Sequence, residues 1–187
     1  MDHAGRLAPA GLVFLELLDL KLPLVPPALA NLATGYQQRA GQCSVATVER
    51  TEPDFLTKAN DSWFELCRAG GLIGDDGEFL VAVPLDEDGR DLWWARVRLA
   101  ESWDLVGEGS VTALGLGFGS PEFTTLSVKG DVAAFCASHE LAVITVVAAG
   151  FSSLPDLRKH AEWVASQQRI SEQEKAAAGR WLEASGD

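Results

Sequence analysis

Cys136 and His139 stand three residues apart, a spacing that on a helix puts a thiol and an imidazole on one face. There they would act as a nucleophile with its base, or as two ligands of a metal site. The stretch Asp131 to His139, following Gly130, reads as that helix. Two ligands do not make a site, however: Cys43 and Cys67 lie far away, His160 stands alone, and no CxxC spacing occurs, so no metal is expected. The plainer role of the pair is a core thiol and a last-turn histidine favoured by the helix dipole. Ser127 and Lys129 share a strand face, but a Ser-Lys dyad needs a desolvated lysine, and nothing around Lys129 indicates one.

Two loops resemble ligand cradles. Gly115-Leu116-Gly117-Phe118-Gly119 lacks the GxGxxG spacing and the following helix that would present amides to a pyrophosphate, since Ser120-Pro121 comes next. A strand with one glycine face fits it better, and no nucleotide cofactor is expected. Asp86-Glu87-Asp88-Gly89 resembles part of a calcium loop. In that register Pro84 and Ala95 would occupy two positions that need carboxylates, so the reading is a polar hairpin turn with Gly89 at positive φ.

That turn is nevertheless the most distinctive surface in the sequence. Asp75, Asp76, Glu78, Asp86, Glu87, Asp88 and Asp91 bracket one apolar strand and lead into Trp93-Trp94. The strand between them, at about 3.3 Å per residue, holds the two acidic clusters some 20 Å apart, so only the 86–91 cluster adjoins the tryptophans. Alternation along a strand would bury one of Trp93 and Trp94 and turn the other outward, unless a helix covers that face as well. An outward tryptophan beside carboxylates has the composition of an interface anchor.

These residues must be positioned by an α+β chain: a mainly antiparallel sheet of five to six strands, helices packed on it, and a C-terminal helical hairpin. The expected division of a single domain 1–187 is a helical segment over 1–43, a sheet-containing core over 44–150 and helices over 151–187. Pro27 opens a helix that Gly41 closes at about Ala40. Ser44 to Arg50 is a strand, and Thr51-Glu52-Pro53-Asp54 resembles a capping box for a helix carrying Leu56, Ala59, Trp63 and Cys67 on one stripe up to Gly70-Gly71. Strands follow at Phe79 to Val83, Leu92 to Leu99, Ser110 to Phe118 and Phe123 to Val128. With a helix over Asp131 to His139 and a buried strand over Leu141 to Ala148, residues 123–148 would form a right-handed parallel crossover. In the tail, Ser153 and Ser171 each precede a carboxylate by three positions and open helices, with Ala161, Trp163 and Val164 on the inner face of the first and Ala177, Trp181 and Leu182 on that of the second.

The 27 acidic residues exceed the 15 basic ones to give a net charge of −12, which repels phosphate backbones and anionic lipid and attracts basic surfaces. No nucleic-acid partner is expected, and no membrane partner, because no stretch approaches the ~20 apolar residues of a span. The odd, widely spaced cysteines and the absence of a basic leader before the apolar run at 11–18 suggest the cytoplasm. The expectation is recognition rather than catalysis: an acidic protein-binding module, such as an inhibitor or immunity protein that neutralises a basic partner such as a toxin. Asp86, Glu87, Asp88, Asp91, Trp93 and Trp94 would carry that contact. The alternative is a small-ligand-binding domain or enzyme built on the glycine-faced strand with Cys136 and His139 as its reactive pair. Oligomeric state is not set by the sequence.

Overall fold

The computed structural model describes residues 1–86, 88–114 and 121–186. Its strands are β1 (Leu12–Leu17), β2 (Ser44–Glu49), β3 (Glu78–Pro84), β4 (Leu92–Leu99), β5 (Glu122–Leu126), β6 (Val132–Ser138) and β7 (Ala142–Ala149). Among the described residues they form one seven-stranded sheet in the order β1-β4-β3-β5-β6-β7-β2, and every neighbouring pair runs antiparallel. The helices are α1 (His3–Leu7), α2 (Pro27–Ala40), α3 (Phe55–Ala69), α4 (Glu108–Leu114), α5 (Pro155–Ser166) and α6 (Glu172–Ala184). No helix of the described residues is long and apolar enough to cross a membrane.

Both faces of the sheet are covered, and each cover follows from a local signal. Ala59, Trp63 and Cys67 repeat every four residues, so α3 buries a single stripe against Phe79, Val97 and Phe123. Trp63 is fully buried and meets Phe79, Trp103 and Phe123 edge-on at centroid distances of 5.6 to 6.2 Å. On the opposite face α2, α5 and α6 enclose Leu80, Trp94, Leu126, Leu157 and Trp181. Helix α2 starts on Pro27 and stops at Gly41, whose φ of +67° is the left-handed conformation that closes a helix. Ser171 caps α6 by accepting the Glu174 amide at 3.1 Å, and α6 packs on α5 as the expected helical hairpin.

Several expectations are corrected. Asp131 to His139 is not a helix: β6 occupies it, and residues 122–149 form an antiparallel meander with no crossover. The run Val-Ala-Ala-Phe-Cys-Ala has helical propensity, but the strand is packed on both faces. Ala133 lies under the α2 side and Ala134 and Cys136 under the α3 side, so small residues admit the helices closely. What opens the stretch is a hairpin: the Ser127 hydroxyl accepts the Asp131 and Val132 amides at 3.1 Å and donates to the Asp131 carboxylate at 2.7 Å, beside Gly130 at φ +80°. This bonding also removes Ser127 from any dyad with Lys129.

Residues 110–114 lie in α4, not in a strand, and the glycines at 115, 117 and 119 fall outside the described residues. The 1–43 segment is not wholly helical, because β1 joins the sheet edge against β4, where Arg96 bonds Glu78 at 2.5 Å and Glu16 at 3.4 Å. With β1 and β6 added and residues 110–114 removed, the expected five to six strands become seven. Helix α3 starts at Phe55 from Asp54, a residue at φ +56°, while Thr51 bonds the Glu49 carboxylate, so the Thr51 capping box does not form. Trp163 is 51% exposed rather than inward, its ring tilted against that of His160 at a centroid distance of 5.2 Å.

Candidate functional site

The β3–β4 hairpin fixes the acidic loop from both sides. Leu85 donates its amide to the Asp91 carbonyl at 2.9 Å, closing the loop, and within it the Gly89 amide bonds the Asp86 carboxylate at 2.8 Å. Gly89 takes φ +67°, a conformation that L side chains rarely adopt. Asp86 and Asp88 are exposed, Asp91 is half-buried, and Glu87 lies outside the described residues. Trp93 and Trp94 are 1% and 0% exposed, so neither faces outward as an anchor. The Trp94 indole N–H donates to the Val25 carbonyl at 2.7 Å, whereas that of Trp93 has no acceptor among the described residues.

At the root of this hairpin lies a cleft with about 70 Å³ of free volume. Its walls include Pro26 and Pro27 from the start of α2, Arg90, Asp91 and Trp93 from the hairpin, and Glu174 from the first turn of α6. Burial, and then the nearby charge of Asp91, hold the Glu174 carboxyl above the usual carboxylate range. Its backbone takes the Ser171 cap, but no side-chain bond from Glu174 returns to Ser171 among the described residues, which leaves the carboxylate to the cleft. Nor does any ion pair among the described residues reach Asp86, Asp88, Asp91 or Glu174. The cleft thus holds two carboxylates and one cation, Arg90, with no ion pair between them among the described residues.

No family model, curated protein or solved structure matches this chain. Its chemistry is therefore read from the site itself. A carboxylate pair with one member raised is also an acid/base arrangement, but this volume holds only a few waters or the head of one side chain, well short of a substrate pocket. At the far end of β3 the grooves beside Asp75 and Asp76 contain two cations each, Arg68 together with Lys129 or Arg98, against the single Arg90 beside Asp91 and Glu174.

Glu174 is the functional candidate that the sequence reading missed. The Ser171-to-Glu174 spacing correctly signals a helix start, yet nothing in it reveals that α6 delivers this carboxylate to a hairpin some eighty residues earlier in the chain. Because an acid with a raised folded pKa holds more protons folded than unfolded, stability falls as pH rises from the ordinary carboxylate pKa through the folded one. Glu174→Gln should therefore flatten this part of the stability profile and leave the protein no less stable than wild type at pH 7. Urea denaturation at pH 4 and pH 7 measures both.

Cys136 and His139 are not brought together. Three positions along a strand is about 10 Å, with side chains on opposite faces, and Cys136 is buried while His139 is exposed in the β6–β7 turn. Burial pushes the Cys136 thiol up to about 12, only partly opposed by the Thr145 hydroxyl at 3.7 Å, and raises Cys67 as well. A nucleophile needs the opposite shift. In the native protein a thiol reagent at pH 8 should therefore label the half-buried Cys43 first, with Cys67 and Cys136 reacting only when denaturant opens the core. Rapid labelling of all three without denaturant would contradict this burial.

Proposed function

We propose that the protein is an acidic binding module for a basic protein partner, an inhibitor or immunity protein that occupies the cationic cleft of an enzyme such as a toxin. What supports this reading is the convergence of exposed Asp86 and Asp88 with Asp91 and Glu174 at one end of the sheet, where no cation pairs with them among the described residues. Carboxylates in that state attract a cationic surface from a distance and exchange their hydration for paired contacts on docking. The proposed contact set is Asp86, Glu87, Asp88 and Asp91, extended by Glu174. Trp93 and Trp94 form a rigid floor beneath it rather than an inserted anchor.

The net charge of −12 opposes a nucleic-acid role, and three free thiols accord with a reducing compartment such as the cytoplasm. The test is paired capture from the native cell at low salt, using the wild-type chain and an Asp86→Asn, Asp88→Lys variant. A basic protein held by the first, lost from the second and released by salt supports the reading. The same proteins retained by both would overturn it.

A further inference from the structure

We propose that β1 pairs antiparallel with the β1 of a second copy of this chain across a two-fold axis, so that two seven-stranded sheets run on as one. Strand β1 ends the sheet and is paired on one side only, with β4. Its free side offers backbone donors and acceptors to another strand. Proline and unpaired charge, two devices that blunt such an edge, do not occur in Leu-Val-Phe-Leu-Glu-Leu, because the one charge, Glu16, meets Arg96 at 3.4 Å. Instead Val13, Leu15 and Leu17 are each more than a third exposed, whereas β2, the other outer strand, exposes only Val45 among its large apolar residues.

The bulge in β1 selects the occupant. The pairing with β4 slips between Phe14 and Glu16. Leu12 and Phe14 therefore lie on the α3 face with Leu17, which is opposite Ala95, while Val13 and Glu16, opposite Arg98 and Arg96, share the other face three residues apart. A regular strand alternates at every residue and cannot match that order on both sides of the bulge. A second copy run antiparallel does match it: Leu12 meets Leu17 on one face, Val13 meets Glu16 on the other, and Phe14 meets Leu15 at the centre.

Charge points to the same register. Arg98 is exposed and makes no ion pair among the described residues, and the carboxylate of Glu16 is more than half exposed. With Val13 opposite the second copy's Glu16, that Glu16 lies two strand spacings from Arg98, about 10 Å between Cα atoms, which the two side chains span together. Each Glu16 gains a second cation and no Glu16 faces another. Two chains of net charge −12 thus meet where their acids are not opposed.

Sedimentation equilibrium of the full chain from about 1 µM to about 1 mM tests this, with a Kd on the order of 10 µM expected. The mass should rise from 20.0 kDa towards twice that value. Leu15→Lys, which sets two lysines near the axis, and Arg98→Glu, which sets Glu against Glu16 twice, should each weaken the dimer about tenfold or more. Both positions are exposed, and thermal midpoints of the dilute variants check that the monomers stay folded. Arg98→Glu chains mixed with Glu16→Lys chains should recover a heterodimer of near wild-type affinity, since both cross-chain contacts then pair opposite charges. Val45→Lys, on the edge of β2, should change nothing.

A chain that stays at 20.0 kDa throughout would overturn the proposal, even if a strand of another protein takes the edge. A dimer that survives Leu15→Lys, or is lost with Val45→Lys instead, would overturn the choice of β1. A dimer that is indifferent to Arg98→Glu, or a mixture that recovers no heterodimer, would overturn the register.

Discussion

Asp86→Asn combined with Asp88→Lys is expected to slow association with the basic partner about tenfold at low salt while leaving the fold intact. The substitutions are chosen from the turn geometry. The Asp86 carboxylate accepts the Gly89 amide at 2.8 Å, and an asparagine oxygen can keep that bond where a lysine would break it. Asp88 is exposed and makes no side-chain hydrogen bond or ion pair among the described residues, so reversing it changes the field without removing a contact. Surface charges act mainly on encounter, so the wild-type association rate should fall steeply as salt rises and the variant's should be nearly flat, the two approaching each other near 1 M salt. Surface-immobilised partner and a salt series measure this, with the thermal midpoint as the folding control. An unchanged rate and salt slope would remove the hairpin from the interface.

Trp63→Ala should be the most destabilising single substitution proposed here, costing about 3–5 kcal/mol. The ring is fully buried at the centre of the α3 face, surrounded by Phe79, Trp103 and Phe123, and its loss opens a cavity that three aromatic neighbours cannot collapse into without leaving their own contacts. Against a typical domain stability of about 5–15 kcal/mol, that loss would bring the chain close to unfolding at room temperature. Trp63→Phe isolates the cause. The Trp63 indole N–H has no acceptor among the described residues, so the phenylalanine variant loses volume but no hydrogen bond and should recover most of the stability. Trp94→Phe differs, because it strands the Val25 carbonyl as well as leaving a gap. Urea midpoints for the three variants order these effects; a Trp63→Ala midpoint within error of wild type would contradict the packing described.

Helix α2 was legible to its ends because its signals are local: Pro27 has no amide to lose at a first turn, and Gly41 supplies the left-handed closing residue. Helix α6 was legible for the same reason, through the Ser171 cap. Strands β3, β4 and β7 were legible as apolar runs bounded by turn residues, though the alternation rule misled at Trp93-Trp94, which are both buried in the core enclosed by α2, α5 and α6. Sequence reading failed at β6, where alanines favour a helix in isolation and a doubly covered strand in context. It failed again at Asp54, whose positive φ opens α3 without any side-chain cap.

In the candidate site, the sequence by itself determined the acidic hairpin: the run Asp86 to Asp91, the turn at Gly89 and the strands either side are all local in the chain. Only the tertiary structure decided that both tryptophans are buried, that Cys136 and His139 are apart, and that Glu174 meets Asp91 in one cleft. The physical reason is range. Turn and cap chemistry acts over a few residues and is written in their order, whereas burial, pKa and the meeting of two carboxylates depend on which distant elements the sheet brings together.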